Sequence, residues 1–533
     1  MLLQTDASAS RGEPFADVPS RALKPPASEA PGTSAPEETA TQVQAQIADT
    51  MRGLFGRDSL YVLMWGIQLG IAALSTPIIT RLLGMSQFGA VAATLAVGQV
   101  VVALASFSLQ SAVQRVFANG DHDRNARAIV TLAAILGLGM WALVDATGPF
   151  WSEALGLGRY GPTLQYGVTW AALWAVTNAA LGLIRSQDKL LAFGIVTLLQ
   201  SVLAEVLSLV MVAFMHRTAA EYVLGHLIAQ SAALCVALIV ARPAALRRRD
   251  LPMLAGAISY SVGLVPAALA TFVLDTSDRL IVKADLGTAA VARYAVAYNV
   301  ASLTMILLYV LNTAWMPRVF ALADTKVRTS VLAASRDRLY ALLIPVVVGL
   351  CAASPIILTI WVPAGYHADR LLLIVAIVAI TAFPYAGTMA AIRVLLLSGN
   401  TFAVGVSTAV AALGNVGLNV YLVPKLGIAG ASLATLFSYG VLFGLLSARS
   451  RRILRLPRPP AALVAKIFAA VAISLVSTQL PTSPAALAIR AFIALGGMAV
   501  FVAMLTNRLT RSRHAVTCRV ATVLHWPDLA TAS

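Results

Sequence analysis

The sequence predicts an all-α polytopic membrane protein with about fourteen transmembrane helices, and three observations carry that prediction. Of 533 residues, 59% are apolar and only 12% charged, and the mean hydropathy of +0.81 lies far above that of a soluble domain. Apolar runs long enough to cross a bilayer follow one another from Ser59 onward. The arginines and lysines fall mainly in alternate connections, which gives the chain an inside and an outside.

The elements follow in chain order. Residues 1–52 hold Pro14, Pro19, Pro25, Pro26, Pro31 and Pro36 among Ser, Thr, Ala and Glu without an apolar period. Such a segment cannot bury enough surface to offset its ordering entropy and is expected to be a disordered cytoplasmic tail. The opening "MLLQTDASASRGEP" turns polar after three residues, so no cleaved leader is expected. Apolar segments are then placed near 59–80, 88–112, 128–147, 163–184, 190–214, 221–241, 253–277, 291–316, 338–359, 370–392, 401–422, 428–448, 462–480 and 485–506. With the N-terminus inside, the inner connections collect Arg115, Arg124 and Arg127, then Arg185 and Lys189, then Arg242 and Arg247 to Arg249. They continue with Arg318, Lys326, Arg328, Arg336 and Arg338, then Arg393, then Arg449, Arg451, Arg452, Arg455 and Arg458. Fewer basic residues face the other side, so both termini are expected in the cytoplasm. This bias accounts for most of the +16 net charge and removes the need for a nucleic-acid partner.

An internal repeat divides the chain. Sliding it by 203 residues aligns Leu83-Gly84 with Leu286-Gly287 and Arg115 to Ala118 with Arg318 to Ala321. Ala92, Val97 and Leu104 then meet Ala295, Val300 and Leu307 on the same gap-free offset. Both copies end the second member of an opening helical hairpin on the same side, as in two six-helix halves related by an axis along the membrane normal. The expected domains are 53–250 and 251–450 for the halves, 451–508 for two additional transmembrane helices and 509–533 for a cytoplasmic tail.

Three stretches carry a family resemblance: "RLLGMSQFGAVAATLAV…LQSAVQRVFA", "LDTSDRLIVKADLGTAAVARYAVAYNVASL…AWMPRVF" and "NVGLNVYLVPKLGIAGASLATLFSYGV". Over roughly residues 55–450 the chain resembles the polysaccharide transporters of the multidrug/oligosaccharidyl-lipid/polysaccharide superfamily, relatives of O-antigen and exopolysaccharide repeat-unit flippases. The resemblance implies two six-helix lobes in a V around a central cavity that opens alternately to each side of a bacterial inner membrane. It also implies a lipid-linked oligosaccharide as substrate, membrane lipids and other polysaccharide assembly proteins as partners, and transport rather than catalysis. The Pro-rich tail departs from the family pattern.

The candidate site residues follow from where charge enters apolar segments. A lipid-linked sugar carries an anionic pyrophosphate, and a guanidinium can grip phosphate oxygens in bidentate fashion. Arg115 and Arg318, the repeated arginines, are either cationic contacts at a cytoplasmic entrance or ordinary positive-inside anchors. Thr271, Asp275 and Asp278 recur at i, i+4 and i+7, so they share one helical face, and Arg279 and Lys283 follow. That polar stripe reads as cavity lining, its acids pairing with the bases or carrying a coupling proton or sodium ion, or else as an ion-pair cluster at the outer interface. Glu205 lies near the middle of its segment on the face of Ser201 and Ser208, either as an ion-coupling carboxylate or as a neutral hydrogen-bonded acid. Gln68, Ser75, Gln99, Ser106, Gln110, Asn415 and Asn419 also keep helical spacing and serve helix contacts or substrate equally well.

Nothing in the sequence points to an enzyme, a cofactor or a metal. There is no G-x-x-x-x-G-K phosphate loop. "DHD" at Asp121–Asp123 sits in a connection too short for a nucleotide domain. Cys235, Cys351 and Cys518 lie in separate segments without ligand spacing. The expected function is translocation of an undecaprenyl-pyrophosphate-linked oligosaccharide from the cytoplasmic to the periplasmic leaflet, the lipid class coming from the resemblance. The alternatives are an ion-coupled exporter of small cationic or amphipathic compounds, favoured by an acidic cavity, and a non-transporting scaffold for envelope assembly.

Overall fold

The computed structural model describes residues 59–118, 123–320, 325–398 and 400–523, all within one compact unit, Leu54–Ser533. The expected tail 1–52 lies outside the described residues, as does the end of the chain beyond Val523. Every regular element among the described residues is helical.

Each of the fourteen sequence segments has its helix. A 48-residue helical run, Ser59–Ser106, is divided at Gly84 into α1 (59–83) and α2 (85–106), and α3 (Leu109–Ala118) follows a short turn. Next come α4 (Asp123–Ala146), the short α5 (Gly148–Ala154) and α6 (Pro162–Ser186). The fifth segment is α7 (Leu190–Leu198), a π-helical turn (Leu199–Leu203) and α8 (Ala204–Phe214), and the sixth is α9 (Ala219–Ala241). The second half opens with α10 (Leu251–Val262), α11 (Val265–Leu286), α12 (Thr288–Phe320) and α13 (Thr325–Trp361). It continues with α14 (Leu372–Ile380), α15 (Ala382–Leu397), α16 (Thr401–Leu426) and α17 (Ile428–Ile453), and α18 (Ala461–Ser477) and α19 (Pro484–Val523) close the described chain. Among the described residues twelve helical stretches are long and apolar enough to cross a membrane, which makes the chain a multi-pass membrane protein. The difference from fourteen arises because α1 and α2 form one such stretch and α18 has only 17 residues.

Two boundaries move for physical reasons. Helix α13 begins at Thr325, not near 338, because the basic inner connection is itself helical; its 37 residues span about 55 Å, well beyond a bilayer core. The chain beyond 508, expected as a tail, continues in α19 to Val523, since neither Gly nor Pro interrupts it between Met498 and Val523.

The repeat is visible in the backbone. Gly84 has φ 69° and ψ 172°, and Gly287, its mate 203 residues later, has φ 80° and ψ 175°. A side chain there would meet the left-handed steric penalty, so both helix breaks demand glycine. Helix α2 packs against α12 and α11, joining the halves. At that crossing a Cβ on Gly89 would lie 1.9 Å from the carbonyl oxygen of Thr288 and 3.3 Å from the nitrogen of Ala292. The same offset pairs Gly89 with Ala292, so equivalent positions of the two copies touch, as they must beside a local twofold axis. The Ser86 and Thr288 hydroxyls meet there at 3.3 Å. Helices α18 and α19 pack on α13 and extend the second half.

Gly89→Ala therefore forces two backbones apart and is expected to cost about 1–3 kcal/mol. It should lower the Tm of the purified protein by several degrees. Gly440→Ala, with nothing within 4 Å of the added carbon, should not. Equal melting of the two variants would refute the close approach.

Candidate functional site

A cavity of about 250 Å³ lies where the halves meet. Ser75, Thr76 and Ile79 of α1 and Phe88, Val91, Ala92 and Leu95 of α2 form one wall. Ala295, Asn299, Ser302, Leu303 and Ile306 of α12 form another, with Trp361 at the end of α13. Three polar side chains complete it: Glu205 of α8, Tyr222 of α9 and Arg279 of α11. Arg279 and Glu205, 74 positions apart in sequence, thus line the same cavity.

Arg279 is held on its carbon side, and one of its nitrogens has no partner among the described residues. Its guanidinium carbon lies 5.4 Å from the centre of the Tyr298 ring, within cation–π range. Its Nε is buried with no hydrogen-bond partner among the described residues. A buried guanidinium nitrogen left this way favours an anion that can accept from it.

Glu205 is set by the π turn before it. Within that turn, Leu199–Leu203, Ser201 donates to the Thr197 carbonyl oxygen at 2.8 Å. Tyr222 donates its hydroxyl to Glu205 Oε2 at 2.9 Å, and His226 Nε2 stands 4.0 Å from Oε1. Ser208 Oγ meets His226 Nδ1 at 2.6 Å. Helices α8 and α9 approach this closely because Gly225 has no side chain, a Cβ there lying 2.4 Å from Ser208 Cα.

The acids of α11 turn away from the cavity into the second half. Tyr439 donates to Asp275 Oδ1 at 2.6 Å, and Tyr294 donates to Asp278 Oδ2. Asp278 Oδ1 accepts from the Arg279 backbone N–H at 2.7 Å. Beside them Ser277 Oγ donates to Asn415 Oδ1 at 3.2 Å, and Asn419 Nδ2 donates to the same oxygen at 3.0 Å. Asn415 Nδ2 and Asn419 Oδ1 are buried without hydrogen-bond partners among the described residues. Thr271 is exposed and bonds its own helix at Ala267. The stripe thus serves two places, with Arg279 on the cavity and the carboxylates in a tyrosine-capped polar core.

The other bases stand apart. Lys283, expected to bind substrate, donates to the Leu157 carbonyl oxygen at 2.7 Å and does not line the cavity. One turn further along α11 than Arg279, it reaches the α5–α6 connection, where Gly156 packs on Ala284. Arg115 is exposed at the end of α3 and lies 4.5 Å over the Tyr260 ring. Arg318 is in α12, its side chain outside the described residues. Arg393, expected in an inner connection, is 1% exposed inside α15 and donates to Ser335 Oγ at 2.9 Å. The tyrosines that answer the carboxylates were not singled out from the sequence, although a tyrosine inside an apolar segment needs a partner for its hydroxyl.

The helical arrangement has counterparts among solved membrane proteins. The lipid II flippase MurJ in its inward closed conformation superposes with a TM-score of 0.64 over 85% of this chain and 99% of that one, at 13% identity. A multidrug resistance MATE family transporter of the MOP superfamily, in its inward-facing conformation, gives 0.56 over 72% and 98%, at 14% identity. The Vibrio cholerae MATE transporter VcmN gives 0.54 over 75% and 98%, at 17% identity. At such identities the likeness is one of fold. No curated protein matches the chain. The family described as polysaccharide biosynthesis protein matches residues 78–367, more than half of the chain, and the chain belongs to that family.

The Glu205–Tyr222 bond sets up a double-mutant cycle. Tyr222→Phe is expected to cost about 1–3 kcal/mol by removing a donor from a half-buried carboxylate. Combined with Glu205→Gln, the losses should fall short of their sum by about 0.5–3 kcal/mol, read from thermal unfolding. Strict additivity would show that the bond contributes nothing.

Proposed function

We propose that the protein is a flippase that moves an undecaprenyl-pyrophosphate-linked oligosaccharide repeat unit from the cytoplasmic to the periplasmic leaflet of the inner membrane. Arg279 carries this reading: a partly buried guanidinium on the cavity between the halves, its Nε without a hydrogen-bond partner among the described residues. Family membership supports a role in polysaccharide biosynthesis, and the fold is shared with a lipid II flippase. Arg279 takes the pyrophosphate, while Asn299, Ser302 and Thr76 offer hydrogen bonds to sugar hydroxyls. At about 250 Å³ the cavity is smaller than the 300–1,000 Å³ of ordinary ligand pockets, so a glycan enters only when the halves 53–250 and 251–450 rock apart. Arg115 and Arg318 attract the anionic lipid at the inner entrance, and both termini lie in the cytoplasm. Asp275, Asp278 and Glu205 couple the cycle to an ion gradient, since each can exchange its tyrosine hydroxyl for a proton or a cation.

In this reading three hydrogen bonds close the outer side. From the first half, Arg81 Nη2 donates to the Ile360 carbonyl oxygen at 2.7 Å, and Thr80 Oγ1 donates to that of Trp361 at 2.7 Å. From the second, Lys283 reaches back to Leu157. We expect Arg81→Ala with Lys283→Ala to weaken the closure, so that an engineered cysteine pair between Gly158 and Asp285 cross-links less readily in membranes. Unchanged cross-linking would remove these cations from the gate.

Arg279→Ala should abolish glycan export at normal protein levels, seen as lipid-linked repeat units accumulating in the cytoplasmic leaflet. Arg279→Lys should restore part of it, because the ammonium keeps the charge but lacks the bidentate fork. Full export by Arg279→Ala would exclude the residue from the substrate path. Glu205 on the cavity favours the second reading, export of small cationic compounds. That reading requires Glu205→Gln to sensitise cells to a cationic dye while glycan export continues.

A further inference from the structure

A second recess, about 280 Å³, shares no lining residue with the Arg279 cavity. It lies among α13, α15, the end of α17 and the 454–459 connection to α18. Arg336, Arg451, Arg455 and Arg458 line it, and its lining contains no carboxylate. Of these four, Arg336 is paired, its Nη2 and Nε lying 2.8 and 2.9 Å from Asp337 Oδ1. Positive-inside anchoring explains basic residues along a membrane surface, but not their convergence on one walled hollow.

The connection is built to hold that arrangement. It is extended at Leu454 (φ −141°, ψ 117°) and at Pro460 (φ −55°, ψ 138°), and Pro457, Pro459 and Pro460 fix its φ angles. Side chains alternate along such a backbone. Leu454 and Leu456 pack with Leu332, Val394 and Leu397 in an apolar cluster of their own, while Arg455 between them stays exposed on the recess, as does Arg458 beyond Pro457. Opposite, Gly387 lets Tyr340 and Phe443 close the wall, since a Cβ there would lie 2.5 Å from the Tyr340 hydroxyl and 2.3 Å from the Phe443 ring. The result is a preorganised cationic hollow over an apolar floor. From it α18 leads away with Phe468 and Val476, 69% and 62% exposed, offering a greasy surface in continuation.

We propose that this recess binds the phosphate-bearing headgroup of an anionic membrane lipid, with the guanidinium groups on the phosphate and the acyl chains running along α18. A soluble phosphate would use the arginines but not the apolar floor or the exposed face of α18.

Native mass spectrometry of the full chain in detergent, titrated with phosphatidylglycerol and with phosphatidylcholine, tests this. The wild type should retain phosphatidylglycerol selectively. The triple variant Arg451→Gln, Arg455→Gln, Arg458→Gln should lose about tenfold in that retention, as expected for the loss of several charge-assisted phosphate contacts. A charge-matched triple in another inner connection, Arg247→Gln, Arg248→Gln, Arg249→Gln, should retain the lipid like the wild type. An unchanged melting temperature shows that each variant is folded. Equal losses in the two triples, or no loss in the first, would overturn the site. Binding of inorganic phosphate that the first triple abolishes, with phosphatidylglycerol retention unchanged, would overturn its assignment to a lipid.

Discussion

The crossing of α2 over the start of α12 is the constraint on which the rest of the bundle depends. Gly89 lets the two backbones meet where no side chain fits, and the matched breaks at Gly84 and Gly287 aim both helices into that crossing. Around it Leu83, Ala92, Ala295 and Val300 belong to the largest apolar core, so the contact is enclosed by small, tightly packed residues. Small side chains matter more here than in water, because lipid offers apolar helices no hydrophobic drive to associate and close packing must supply the attraction. The cavity is a consequence. Helices that touch at one point diverge beyond it, and the space between α1, α2 and α12 is what remains.

How charge is housed follows from the same scarcity of water. Each of the three intramembrane acids considered accepts from a tyrosine hydroxyl. A phenol can donate while its ring remains in the apolar core, which spares the bundle a second desolvated charge. Arg279 is the counterpart, set over the Tyr298 ring but with its Nε unpartnered among the described residues. The asymmetry separates groups whose needs the protein satisfies from one whose need an anion would meet.

Much of this was legible in the sequence, for reasons that also mark its limits. Apolar length located every long helix, because a bilayer requires it, and the Leu-Gly pairs 203 residues apart anchored the repeat, whose two glycines prove to be helix breaks. Arg279 stood out as a cation amid an apolar run. The π turn at Leu199–Leu203 was hidden, since a 3.6-residue pattern assumes the register it breaks. Arg393 was read as a loop residue because the apolar run fades near 392, whereas α15 continues to Leu397 and buries it against Ser335. Lys283 shared the face of Arg279 by spacing, but a long side chain one turn further on reaches a different neighbour. Spacing gives the face of a helix; what stands opposite that face comes only from the fold.

The choice of acceptors at the closed end bears on how such a bundle could open. Arg81, Thr80 and Lys283 bond to backbone carbonyls, not carboxylates, and the Ile360 and Trp361 oxygens lie in the last turn of α13, where no intrahelical donor remains. The negative end of a helix dipole favours a cation there, by about 0.3–1 kcal/mol at an exposed position. A charge-assisted bond to a carboxylate would hold harder and would leave two bare charges on parting. When the present contacts separate, water can satisfy the carbonyls and the cations alike, so neither arrangement strands a buried polar group. Bonds of this kind are strong enough to define one closed geometry and weak enough, taken together, for the binding of a ligand to reverse it.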